Sequence, residues 1–172
     1  MLEIRTILVP TDFSKHSEPA LRYACGLAER MGSALHVLHV LSEVMPVGPD
    51  PMLAPVLPPE FFRETEEASR QALADLLDPA WGKPTAVESS VRWGNPVDVI
   101  VDHATSLGTD LIVIATHGRT GLSHVLLGSV AERIIREAPC PVLTVRDRGD
   151  RADAAHRPGP KPSPEPNPRP AP

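Results

Sequence analysis

The stretch Asp110-Leu111-Ile112-Val113-Ile114-Ala115-Thr116-His117-Gly118-Arg119-Thr120-Gly121 decides how the chain is read. An unbroken apolar run passes directly into a polar, glycine-containing segment, which is the pattern of a buried strand that ends in a loop. Working outward, Ser129-Val130-Ala131-Glu132 has the capping-box pattern that opens a helix. Ile134, Ile135 and Ala138 are expected on its core face, and Pro139 stops it. The run 142–145 is a further strand.

The same alternation extends back to the N-terminus. Strands are predicted over residues 4–9, 34–40, 86–91, 110–115 and 142–145, the third weakened by Glu88 and Ser89. Between the first two, Ala20, Ala24, Leu27 and Met31 repeat at helical spacing, with Ser14 as the expected N-cap and Gly32 at the C-terminal cap. A second helix over 60–77 places Phe61, Ala68, Ala72, Leu76 and Leu77 along one stripe. A third opens with Asn95 as cap, Pro96 at its first position and Asp98 in its first turn, and closes at Leu107 and Gly108. Short apolar strands alternating with helices predict an α/β fold, an open doubly wound parallel sheet of five strands with helices on both faces.

Composition narrows the partner. The net charge of -5, with no basic stripe, argues against nucleic acid. Lysine occurs only at Lys15, Lys83 and Lys161, so a phosphate site must rely on arginine, backbone N–H groups or a metal. Cys25 and Cys140 have no metal-ligand spacing and read as reduced, packed residues. No signal-peptide pattern follows Met1, and no apolar run approaches a membrane span, so a cytoplasmic protein is expected. Proline concentrates in two places. The connection 42–59 is apolar for a loop, with Met45, Val47, Met52, Leu53, Val56 and Leu57, and is expected to pack on the domain or a neighbouring subunit. The segment 147–172 is expected to be a disordered tail following a domain of residues 1–146.

In a doubly wound sheet the ligand crevice opens beyond the carboxyl ends of the strands, where the strand order reverses. The segments to inspect are therefore Pro10-Thr11-Asp12-Phe13-Ser14 and the loop from Ala115 to Ser129. Gly118, Gly121 and the Gly128-Ser129 helix start suit an anion nest, although glycines at these places also serve simply to permit turns. The lysine of a P-loop is missing, and the dinucleotide fingerprint would follow the first strand instead. Arg119 is the side chain suited to a phosphate. Asp12 suits a ribose hydroxyl, magnesium or the capping of the first helix. His117 and His124 lie on the loop, but no nucleophile–base pair, paired carboxylates or metal-ligand spacing accompanies them, so neither dedicated catalysis nor a metal centre built by protein ligands is indicated.

The loop resembles that of the universal stress protein family, whose nucleotide-binding members carry a glycine, two residues, a glycine, nine residues and then Gly-Ser or Gly-Thr after strand four. Here Gly118 and Gly128-Ser129 match, and Ala115 replaces the first glycine. The resemblance spans about residues 2–146 and includes Ile7-Leu8-Val9-Pro10-Thr11-Asp12-Phe13-Ser14, Leu38-His39-Val40, Gly94-Asn95-Pro96 and Cys140-Pro141-Val142. It implies the strand order 3-2-1-4-5 and a homodimer formed through the last strand, 142–145. It also implies ATP or ADP as ligand, with magnesium, in a stress-response regulator. Pro10, Thr11 and Asp12 would line the adenine and ribose end, and Val40 would meet the base through its backbone. Ala115, His117, Gly118, Arg119, Thr120 and Gly121 would wrap the ribose and phosphates, and Gly128, Ser129 and Val130 would present helix-start donors. The alanine is tolerable if position 115 is extended strand. Slow ATP hydrolysis or self-phosphorylation, with Ser123 or Ser129 as acceptor, is a secondary family theme. The alternative is an interaction module of the same fold that binds no nucleotide and uses 42–59 as its partner surface.

Overall fold

A computed structural model describes residues 3–42, 57–77, 79–118 and 127–146 of the chain. The tail 147–172 and most of the 42–59 connection lie outside the described residues. In chain order the elements are β1 (Thr6–Thr11), α1 (Glu18–Met31), β2 (Ala34–Leu41), α2 (Pro59–Leu76), a 3-10 turn (Pro79–Trp81), β3 (Ala86–Trp93), α3 (Pro96–Leu107), β4 (Leu111–Ala115), α4 (Ser129–Glu137) and β5 (Val142–Val145). All strand pairs are parallel, and the order across the sheet is β3-β2-β1-β4-β5.

The apolar runs of β1 and β4 are continuous because both of their faces are covered, and the two-residue period of a strand divides the side chains between two cores. Ile7 and Val9 of β1 join Val37 of β2 and Val113 of β4 beneath α1 and α2. Leu8, Leu38, Ile112 and Ile114 pack on the opposite face against Val97, Ile100 and Ala104 of α3 and Ala131 and Ile134 of α4. Burial of the valine, leucine and isoleucine side chains contributes roughly 1.5–3 kcal/mol each relative to exposure, which is the main force holding the helices on the sheet.

The sheet opens where the strand order reverses. β1 stays in register with β2 as far as Thr11↔His39. With β4 it pairs at Ile7↔Leu111 and Leu8↔Ile112 alone. Pro10 has no N–H to give a ladder, consistent with the end of pairing on that side. The carboxyl ends of β1 and β4 therefore part, leaving a crevice between them.

Several expectations about element ends give way to competing hydrogen bonds. Ser14 was expected to cap α1, but Asp12 claims it: its N–H and Oγ donate to Asp12 Oδ1 at 3.0 and 2.6 Å. The cap position falls to Ser17, whose hydroxyl donates to the Ser14 carbonyl and accepts no hydrogen bond from the helix N–H groups. At α4 the expected capping box does not form. Gly128 occupies the cap position, Ser129 is the first helical residue, and the Glu132 carboxylate pairs with Arg136 at 2.8 Å. Ile135, expected in the core, is 46% exposed. The most buried residues of α2 are Ser69 and Leu73; of the expected stripe Leu76 and Leu77 pack against the core, whereas Phe61 and Ala68 are exposed. β3 continues to Trp93, since Glu88 and Ser89 sit on an exposed part of an edge strand where polar side chains are no obstacle. The α3 cap is as expected, with Asn95 Oδ1 accepting from the Val97 N–H at 3.0 Å.

Candidate functional site

The crevice is a cavity of about 430 Å³ at the carboxyl ends of the strands. Its apolar part is made by Leu38 and Val40 of β2, Ile114 and Ala115 of β4, Ile100 of α3 and Ala131 of α4. Pro10, Thr11 and Asp12 form the β1 side. Opposite them stand His117 and Gly118 after β4 and Gly128, Ser129 and Val130 at the start of α4. Of the residues singled out in the sequence, these are brought together around one space, whereas Arg119, Thr120 and Gly121 lie outside the described residues, as do Ser123 and His124.

The loop between β4 and α4 is pinned at its base. The Thr116 N–H donates to the Val145 carbonyl at 2.9 Å, and the Gly128 N–H donates to the Thr116 carbonyl at 2.7 Å. Gly128 thus spends on the neck of the loop the donor that was expected to face a phosphate. The donors left to the helix start are the N–H groups of Ser129, Val130 and Ala131, which have no acceptor within an α-helix. They carry the positive end of the helix dipole.

At both matching glycines a side chain would crowd a neighbour. A Cβ on Gly118 would lie 2.8 Å from Asp12 Oδ2, and one on Gly128 would lie 3.2 Å from the Thr116 carbonyl oxygen. Neither has the positive φ seen at Gly32 or Gly108. Gly118 therefore lets the Asp12 carboxylate approach the β4 side of the crevice closely. Ala115 is the last residue of β4, pairs with Val145, and lies outside the positive-φ region. A methyl group is compatible with that extended position.

The β1–α1 turn holds Asp12 through a local network. The Phe13 N–H donates to Thr11 Oγ1 at 3.2 Å, and the Thr11 and Ser17 hydroxyls are hydrogen-bonded at 3.1 Å. On the other side, Thr116 Oγ1 lies 3.0 Å from His117 Nδ1. Neither cysteine contributes an activated thiolate. Burial pushes the Cys25 thiol up to about 11, and desolvation also raises Cys140. Among the described residues no group of three His, Cys, Asp or Glu side chains could hold a metal ion, and no helix is long and apolar enough to cross a membrane.

Sequence reasoning overlooked part of the lining. His39 sits one residue before Val40, and Pro96 and Ile100 are one turn apart at the start of α3, a helix identified only by its caps and not placed against the crevice. Ser17, Ser42 and Thr116 also line the space, and their type alone gave no signal.

With this geometry in place, comparison with known proteins identifies the class. The family described as "Universal stress protein family" matches residues 3–146. The chain belongs to the universal stress protein family. A universal stress protein of Methanocaldococcus jannaschii is 32% identical over 142 residues, covering 83% of this chain and 82% of that protein. The solved universal stress protein UspA from Lactobacillus plantarum is similar in fold with a TM-score of 0.66, at 26% identity, covering 85% of this chain and all of that one. A universal stress protein solved in complex with cAMP superposes with a TM-score of 0.60 over 84% of this chain and 98% of its own, and at 24% identity that likeness bears on the fold alone.

Proposed function

We propose that the crevice binds an adenine nucleotide, ATP or ADP with magnesium, and that occupancy regulates a homodimer acting in a stress response. The observation that carries this reading is one cavity joining an apolar end to a helix N-terminus. Leu38, Val40, Ile100 and Ala131 offer a base-sized apolar surface, while the first N–H groups of α4 offer donors to an anion. Its volume lies within the roughly 300–1,000 Å³ usual for small-molecule sites. Asp12, held by Ser14 and facing Gly118, is placed for a ribose hydroxyl or a hydrated magnesium ion. Among the described lining residues there is no lysine or arginine, so phosphate charge falls to the helix start and to Arg119.

The reading is one of binding rather than turnover. It assigns the nucleotide domain to residues 1–146 and the subunit contact to β5, in a cytoplasmic protein. Isothermal titration of ligand-stripped protein with ATP and ADP tests it. Saturable binding that is lost in Gly128→Val, whose side chain would strike the Thr116 carbonyl, is the expected result. No detectable binding of either nucleotide to the native chain would overturn it.

A further inference from the structure

Phe13 is the non-glycine residue with a positive φ among those described, at 61°. An aromatic residue is an uncommon occupant of the left-handed region, and such a conformation persists where the surroundings over-determine it. Here the surroundings include one buried side chain. The His39 ring, 3% exposed, lies under the Phe13 ring with centroids 4.2 Å apart, and Phe13 packs on the core between the sheet and α1. His39 Nδ1 lies 2.8 Å from the Thr11 carbonyl oxygen. A carbonyl only accepts, so the proton is on Nδ1, and the ring donates to the backbone of the very turn that carries Asp12.

We propose that His39 is a positioning residue, which locks the strained Thr11-Asp12-Phe13-Ser14 turn in its ligand-ready shape from beneath. Two contacts converge on the turn: the Nδ1–H bond fixes the end of β1, and the ring, tilted 40° to that of Phe13, supports Phe13 in the left-handed conformation. With both ends held, Ser14 is presented to Asp12 Oδ1, and Asp12 Oδ2 is directed toward Gly118. Ligand affinity then depends on a residue whose first task is to keep a backbone turn from relaxing. This rests on the nucleotide reading of the crevice, but its structural half does not.

The test uses the full chain with His39→Leu, which fills the volume without a donor, and His39→Asn, whose side-chain amide keeps a donor near the Nδ1 position. Hydrogen exchange of the Phe13 and Ser14 amides is followed without ligand, and ATP affinity is measured by calorimetry well below each variant's melting temperature. In His39→Leu both amides should exchange faster, and ATP should bind about tenfold more weakly, the scale of one lost buried hydrogen bond. His39→Asn should recover most of the affinity even if its melting temperature is equally low. Unchanged exchange in His39→Leu overturns the proposal, as does equal affinity loss in both variants that follows their stability alone. Should the native chain bind no ATP, the nucleotide reading fails, and the exchange comparison still decides whether His39 holds the turn.

Discussion

Single atoms explain why the crevice tolerates one departure from its family's loop pattern and would not tolerate another. Position 115 is extended strand, so its methyl group meets no backbone constraint. Restoring glycine there removes a buried methyl and loosens a strand, and Ala115→Gly should cost about 1 kcal/mol, read as a lower denaturant midpoint, with no gain in ATP affinity. Gly118 is the opposite case. A methyl 2.8 Å from Asp12 Oδ2 must displace a carboxylate whose other oxygen is held by Ser14. Gly118→Ala should therefore weaken ATP binding about tenfold, equivalent to about 1.4 kcal/mol, while the melting temperature changes little. Calorimetric titration beside a thermal melt separates the two effects.

Elements were legible in the sequence to the extent that burial dictated them. The five strands, the Asn95 cap of α3 and the C-terminal glycines of α1 and α3 follow from apolar runs and backbone requirements that no neighbour overrides. The start of α1 at Ser14 was misplaced because Asp12 claims that side chain, whereas α4 does begin at Ser129 but is capped by Gly128, tied to the Thr116 carbonyl, so no capping box forms. The Asp12 and Gly118 ends of the crevice stood out as motif residues, but His39 did not, since alternation along β2 assigns it to a core face without revealing the carbonyl it meets. α3 supplies a prediction of its own. Burial first, then electrostatic interaction with Arg92 and His36, hold the His103 imidazole below its ordinary value of 6.5. A histidine so depressed favours the folded state above its unfolded value, and that contribution is lost as pH falls from about 6.5 through the folded value. His103→Gln should accordingly flatten the fall in melting temperature on acidification below about pH 6.5, with little change at pH 8.

For the whole molecule, β5 is an edge strand of the sheet. The carbonyls of Pro141 and Val145 accept from Ile112 of β4 and from Thr116 just after it, so by the alternation of a parallel ladder the backbone groups of Val142 and Thr144 point to the unpaired side of β5. Thr144 is exposed, and proline is tolerated on an edge strand where its missing N–H faces outward. If β5 forms the subunit contact, Thr144→Pro should halve the mass measured by light scattering while the circular dichroism spectrum is retained. An unchanged mass would place the contact elsewhere.

The neck closed by Gly128 and Thr116 has a consequence for how such a protein diversifies. Because the Gly128 N–H closes on the Thr116 carbonyl, the two ends of the intervening segment are held together, and the entropic cost of lengthening that segment rises only with the logarithm of its length. Insertions between the two ends therefore cost the fold little, whereas a change at Gly118 meets Asp12.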